Sequence, residues 1–391
     1  MFAKLLNQFQ HYNVKNYQFG LVIVVTILSV FGAFMVDSAR SGLFERQIMG
    51  VAIGFVAMVI ISLIDYKFVL KYTWILYVMS TVLLVAVLIP GIGIEVNGAR
   101  RWIRIGTEAA HLQFQPSDLT KIILILFFAY FFMRFHSSIN KFRMLLASLI
   151  LVAPSIILIH RQPNLSNTIT LAILFCLMLF MAGLSYKVIG LLAAIVVPFT
   201  VIFLLIAVQP NQPFLANYQQ ERLLAFLNPE EFAQEGAMQQ LNSVMAIGSG
   251  QLHGKGFNND LPISLKNSNF VPEPHNDFIF AVIGEELGFI GSSIVVVLLL
   301  LIILMCLLVG IRAGDLAGRL ICGGVATLIA IQAFINIAVA TFMVPNTGIS
   351  LPFVSYGLTS VISFYMGIGF VLNVGLQPSK QANRYPNKYV K

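Results

Sequence analysis

Ten long apolar runs alternate with polar segments along the chain. They cover 18–36, 48–64, 72–92, 119–135, 144–159, 168–184, 188–208, 279–311, 319–344 and 354–376. A helix needs about 20 mainly apolar residues to cross the hydrocarbon of a bilayer, so the pattern predicts about ten transmembrane helices. Spanning strands would instead show alternating segments of about ten residues. The predicted fold class is therefore all-α: one polytopic integral membrane domain over 1–391, with short tails at 1–17 and 377–391. The eighth run is too long for one plain span. Its start, Phe278 to Gly288, carries Glu285 and Glu286 and reads as a partly exposed helical lead-in.

The polar segments are unequal in a way that sets orientation. With the N-terminus in the cytoplasm, most Lys and Arg fall on cytoplasmic segments, and short loops obey the positive-inside rule. Both termini are then cytoplasmic. Three unusual loops, 93–117, about 209–277 and 345–353, share the outer face. The middle one, between spans 7 and 8, holds a helical-looking piece, Pro229 to Ile247, and a Gly-rich stretch, Gly248 to Gly256. A loop of that length in a compact protein is usually functional.

Composition narrows the class further. Of 391 residues 58% are hydrophobic and 10% charged, against about 25% charged in a soluble domain, so a water-soluble enzyme is excluded. The 32 Phe and the long Leu/Ile/Val runs exclude disorder. The net charge of +8 is read as cytoplasmic loop charge, with no nucleic-acid partner. The first apolar run begins near Phe19, behind a polar stretch, and no small-residue cleavage site follows, so no removable signal is expected. Cys176, Cys306 and Cys322 have no metal spacing and read as buried small hydrophobes.

Candidate chemistry lies in the outer loops. Arg100, Arg101 and Arg104 interleave with Trp102, a pattern that serves either an anionic phosphate headgroup or an interfacial anchor. In Gln115-Pro116-Ser117-Asp118-Leu119-Thr120-Lys121, proline, a Ser cap and a first-turn acid mark a helix start. Asp118 and Lys121 share a face, and Lys121 at the edge of a span needs a partner. Arg161 to Ser166 reads as a short polar loop. Glu273, His275 and Asp277 sit directly before an apolar helix. Desolvation there raises a carboxylate toward general-base range; the competing reading is that Asn276 or Asp277 caps the helix. Glu285 and Glu286 are either functional or paired with a base of a neighbouring helix. Pro345 to Gly357, with Asn346 and Thr347, is a broken polar loop that must line a cavity or be buried in protein.

These motifs, in this order, resemble the SEDS family of bacterial peptidoglycan polymerases (RodA, FtsW and SpoVE). The likeness runs from about 20 to 376. It rests on 97–103, 115–121, Gly248-Ser-Gly-x-Leu-x-Gly-Lys-Gly256, Pro272 to Gly288 and Pro345 to Gly357. The resemblance implies a glycosyltransferase that polymerises lipid II on the outer face of the cytoplasmic membrane, with the catalytic carboxylate at Asp277. Substrate contacts fall to Arg100, Arg101, Trp102, Gln115, Ser117, Asp118, Lys121, Lys255, Glu273, His275, Asn346 and Thr347. Arg100, Arg101, Lys255 or a divalent cation such as Mg2+ would carry the departing pyrophosphate. A class B penicillin-binding protein is the implied partner, within surrounding membrane lipid. Two positions depart from the pattern: Asp118 stands where the family has Glu, and Asn164 where it has Asp. The Gly248–Asn269 stretch leans toward the elongation type rather than division. A lipid II flippase and a non-catalytic scaffold are the alternatives; concentration of charge at the outer ends of spans 4, 5 and 8 argues against a path through the bilayer.

Overall fold

A computed structural model describes residues 16–96, 99–105, 112–209, 212, 217–232, 237–258 and 273–377. Ten helices coincide with the ten apolar runs: α1 (Phe19–Ala39), α2 (Phe44–Leu63), α4 (Thr73–Leu88), α5 (Pro116–Arg134), α6 (Phe142–Arg161), α7 (Leu165–Met181), α8 (Tyr186–Ala207), α11 (Ile279–Arg312), α12 (Leu316–Ala340) and α13 (Leu358–Leu376). Three others are shorter: α3 (Tyr66–Lys71), α9 (Asn217–Leu227) and α10 (Met238–Ser249). Seven described helices, α1, α2, α5, α6, α11, α12 and α13, are long and apolar enough to cross a membrane. The protein is a multi-pass membrane protein.

The bundle is apolar on its outside, as lipid requires. Helix α5 is almost wholly buried, and α12 and α13 mostly so, whereas α6 is largely exposed. Ile150 and Ile157 of α6, Val56 and Ile60 of α2, and Leu300 and Leu304 of α11 all face outward. Between helices, packing replaces the hydrophobic effect, and small residues let backbones approach. A Cβ on Gly54 of α2 would stand 2.8 Å from the Tyr365 ring of α13, and one on Gly369 of α13 would stand 2.8 Å from the Met58 carbonyl of α2. Inside α5, Phe127 stacks on Tyr77 at 4.6 Å between centroids and meets Trp74 edge-on at 4.8 Å.

Several expectations are corrected. Within 93–114 the described residues form a small antiparallel sheet, β1 (Gly93–Val96), β2 (Ala99–Ile105) and β3 (Leu112–Phe114), in the order β1-β2-β3. Its alternating bulky and charged residues suit strands with two different faces; a spanning pattern says nothing about so short a connection. The helix expected over Pro229–Ile247 is instead α9 ending at Leu227 and α10 starting at Met238, because the residue before a proline avoids helical geometry. Cys306 and Cys322 are buried, but Cys176 is exposed on the outer side of α7, where a small apolar thiol is compatible with lipid.

The lead-in of α11 is not exposed. Phe278 to Glu286 are all buried, and the helix breaks at Gly288, with φ 65° and ψ −161°. The turn after α10 repairs this break. Lys255 N–H donates to Glu285 O at 2.9 Å and Gly256 N–H to Glu286 O at 3.0 Å. Beyond the break, Phe289 N–H donates to Gln251 O at 2.8 Å and Ile290 N–H to Leu252 O at 3.2 Å. Four backbone groups that an unbroken helix would satisfy internally thus find partners in one loop. The approach leaves no room for side chains: a Cβ on Gly254 would lie 2.1 Å from Glu286 O.

Candidate active site

Asp277 stands two residues before α11, in a turn over 273–278. Neither capping reading holds. The N-cap position is Phe278, which makes no side-chain cap bond, and Asn276 Nδ2 donates instead to Glu273 Oε2 at 3.1 Å. The Asp277 carboxylate faces the 345–357 loop: a Cβ on Gly348, at φ +70°, would lie 3.1 Å from Asp277 Oδ2 and 3.9 Å from Arg222 Nη1. Burial pushes this carboxyl above the ordinary aspartate range; Arg222 and then Arg101 oppose the rise, and Glu273 adds to it.

The turn is held from two directions. Tyr356 N–H donates to His275 O at 2.9 Å, and the His275 ring meets Tyr356 edge-on at 5.6 Å. His275 is 3% exposed. Burial, and then the charge of Arg40, lower its pKa to about 4 against the pull of Glu273, so the ring is neutral at pH 7. Asn336 of α12 donates to Asp277 O at 2.8 Å and to Ile349 O at 2.6 Å.

Sequence reasoning missed Arg222. It lies in α9, within the long loop, where one arginine carries no pattern. Its Nη1 donates to Asn346 O at 3.4 Å, and Asn346 Nδ2 donates to Gln239 Oε1 at 3.0 Å. Helices α9 and α10 therefore brace the 345–357 loop beside Asp277. Among the described residues, His275 Nδ1, Asn346 Oδ1 and Thr347 Oγ1 are buried with no hydrogen-bond partner.

The sheet separates two arginines that the sequence grouped together. Successive strand residues point to opposite faces. Arg100 pairs with exposed Glu95 at 3.0 Å. Arg101 turns the other way, donating from Nε to Gln162 O at 3.3 Å and from Nη2 to Pro163 O. Of the two, Arg101 is the one coupled to Asp277. Trp102 is half-buried and pairs with Ile94 across β1.

A second polar group lies at the start of α5. Gln115, not Ser117, holds the N-cap position, with Pro116 in the first turn. Gln115 Nε2 donates to Ser117 Oγ at 3.0 Å, and Asn167 Nδ2 to the same oxygen at 3.3 Å. Lys121 Nζ donates to Asp118 Oδ1 at 2.8 Å and to Asn167 Oδ1 at 3.1 Å. Asn164 does not take part in that pairing: it caps α7 by accepting from Asn167 N–H at 3.2 Å. The shorter acid at 118 thus serves Lys121 directly, and the residue at 164 keeps a capping role that needs no charge.

Lys255 is drawn away from the Asp277 turn. Its Nζ donates to Glu285 Oε1 at 2.7 Å, across the α11 break, while Ser38 Oγ donates to Glu286 Oε1 at 2.5 Å. Glu285 is thus paired with a base, though one from the loop rather than from a neighbouring helix, and Glu286 accepts from a helix serine.

This arrangement can be compared with known proteins. The family model FTSW_RODA_SPOVE, described as "Cell cycle protein", matches residues 9–380. The chain belongs to the FtsW/RodA/SpoVE family.

Its relatives span the branches of that family. It is 33% identical to a probable peptidoglycan glycosyltransferase FtsW of Trichlorobacter lovleyi, with 93% of this chain and 94% of that protein covered. It is 34% identical to stage V sporulation protein E of Bacillus subtilis, covering 90% and 95%. Against peptidoglycan glycosyltransferase MrdB of Escherichia coli the identity is 32%, covering 90% and 92%. Among solved structures, a chain from a work on structural coordination of polymerization and crosslinking by a peptidoglycan synthase complex aligns with TM-score 0.72 and 27% identity, covering 92% of this chain and 97% of that one. The RodA crystal structure of Thermus thermophilus shares the fold, with TM-score 0.63 and 24% identity over 92% of this chain and 96% of that one.

Proposed function

We propose that this membrane protein is a peptidoglycan glycosyltransferase that polymerises lipid II, with Asp277 as general base. The observation that carries the reading is the placement of Asp277: a carboxylate at the head of a buried half-helix, used by no cap, beside two arginines. The acceptor sugar hydroxyl must lose a proton as its oxygen attacks the donor anomeric carbon. Burial raises the carboxyl above the ordinary aspartate range, and Arg222 and then Arg101 oppose that rise; a raised carboxylate is a better base than a free one. The bond to the pyrophosphate of the donor breaks as the new glycosidic bond forms. Arg222 and Arg101 supply positive charge near that departing group.

The unpartnered Nδ1 of His275, Oδ1 of Asn346 and Oγ1 of Thr347 support contacts to sugar hydroxyls, from which Asn346 Oδ1 can only accept. Apolar faces between the helices suit the polyprenyl chains. Among the described residues no three His, Cys, Asp or Glu side chains are placed to hold a metal ion. A Mg2+ ion beside Asp277 would take most ligands from phosphate and water, as that ion commonly does, and would add charge on the pyrophosphate. The excess of Lys and Arg on segments opposite the sheet supports cytoplasmic termini and an outward-facing site. A class B penicillin-binding protein is the partner consistent with this reading.

The test is lipid II polymerisation by purified protein, with and without that partner, comparing wild type with Asp277→Ala at matched folded concentration. Glycan strands from wild type and none from the variant support the assignment. Equal product from both removes Asp277 from the chemistry. No product from either, with partner and divalent ion present, removes the polymerase reading.

A further inference from the structure

We propose that Asn336 is a positioning residue for Asp277, fixing the separation between the carboxylate and the 345–357 loop that faces it. The inference rests on the reading of Asp277 as the general base. Asn336 lies in α12, is 1% exposed and has isoleucines on both sides in sequence. A buried amide in such surroundings costs free energy unless it is hydrogen-bonded. Its amino group makes two bonds, to Asp277 O at 2.8 Å and Ile349 O at 2.6 Å.

Both acceptors belong to backbone beside the Asp277 carboxylate. The Asp277 carbonyl is not used by α11, since the first bonds of that helix run from Ala281 and Val282 N–H to Phe278 O. Ile349 directly follows Gly348, the residue facing the Asp277 carboxylate. One nitrogen therefore ties the backbone that bears the base to the backbone that faces it.

The chemistry selects asparagine. A carboxamide nitrogen carries two hydrogens and can serve two carbonyls at once. An aspartate of the same shape offers no donor when ionised, and a serine offers one. The Tyr356–His275 backbone bond holds the same turn independently, so loss of the Asn336 bridge loosens Asp277 rather than releasing the whole loop. Errors of about 1 Å in a reacting group cost about 100-fold in rate.

The experiment measures steady-state lipid II polymerisation per folded enzyme for wild type, Asn336→Asp, Asn336→Ser and Asp277→Ala. The expected result for Asn336→Asp is a kcat lowered about 10- to 100-fold with KM for lipid II little changed. Its acid limb should also be displaced, because Asp277 moves relative to Arg222. Asn336→Ser, keeping one donor, should recover part of kcat. If Asn336→Asp keeps wild-type kcat while Asp277→Ala is inactive, the positioning role is overturned and the base assignment stands. If total activity falls only in proportion to folded protein, so that kcat per folded enzyme and the pH profile are unmoved, Asn336 is merely structural. If Asp277→Ala polymerises normally, the base reading fails and this inference with it.

Discussion

Lys121 and Asp118 form an ion pair of 2.8 Å one helical turn apart, with the residues 3% and 7% exposed. Asn167 completes the lysine's surroundings from α7. Removing one member of a buried pair leaves a desolvated charge, which costs about 3–5 kcal/mol, whereas replacing both with apolar groups is often neutral. Asp118→Asn and Lys121→Met should each destabilise the bundle by about that amount. The double variant Asp118→Leu/Lys121→Met should regain much of the loss. Thermal unfolding in detergent compares them; a double variant as unstable as the worse single one contradicts the argument.

Replacing Asp277 with Asn keeps the side chain's shape and removes its basicity. A positioned base is worth about 10²–10⁴-fold in rate. Polymerisation should fall by about that factor with lipid II binding retained, measured by turnover and by equilibrium binding on the same preparation.

Arg222 holds the Asp277 carboxyl down against the effect of burial. Arg222→Ala should therefore raise the carboxyl's pKa. Because the base works ionised, activity is lost as pH falls through that pKa, and the acid limb should move to higher pH. A pH–rate profile with an unmoved limb would sink the electrostatic coupling. On the reading that Arg222 also meets the departing pyrophosphate, KM should rise as well.

His275 predicts a stability effect of defined sign. An unfolded histidine titrates near pH 6.5, whereas the folded residue titrates at about 4. Between these values only the unfolded state gains a proton. The contribution is present above about pH 6.5 and is lost as pH falls toward 4. His275→Asn should flatten stability over that interval, as followed by unfolding temperature against pH.

Much of this architecture could be read from periodicity, because lipid-facing helices must be long and apolar regardless of their neighbours. The ten runs became helices for that reason. The short sheet was not readable, because its strands are set by pairing between β1, β2 and β3 rather than by a solvent of one kind. The same limit applied at the site. Asp277 stood out as a carboxylate at the edge of an apolar run, and the motif resemblance singled out the same position. Arg222 and Asn336 gave no such signal: each matters through a contact across more than fifty residues, Asn346 for the first and Asp277 for the second. Lys255 differs in another way. The resemblance puts it toward the departing pyrophosphate, while in space it answers Glu285.

The stitched break in α11 makes Gly254 sensitive in an unusual place. Gly254 sits at φ +80°, and its added Cβ would meet the Glu286 carbonyl at 2.1 Å. Gly254→Ala should lower the yield of folded protein sharply, read by monodispersity after extraction, while Gly248→Ala, whose Cβ meets nothing within 4 Å, should not.

That break also bears on how the protein is made. The half of α11 that follows Asp277 emerges from synthesis after the loop that repairs its backbone, and neither is complete alone. Until residues 250–256 close over Gly288, carbonyls and amides within an apolar bundle remain open to proteases and to insertion checkpoints. Cells would therefore register lesions in this turn as a shortage of protein rather than as a slow enzyme, and abundance must be measured before any such variant is scored for activity.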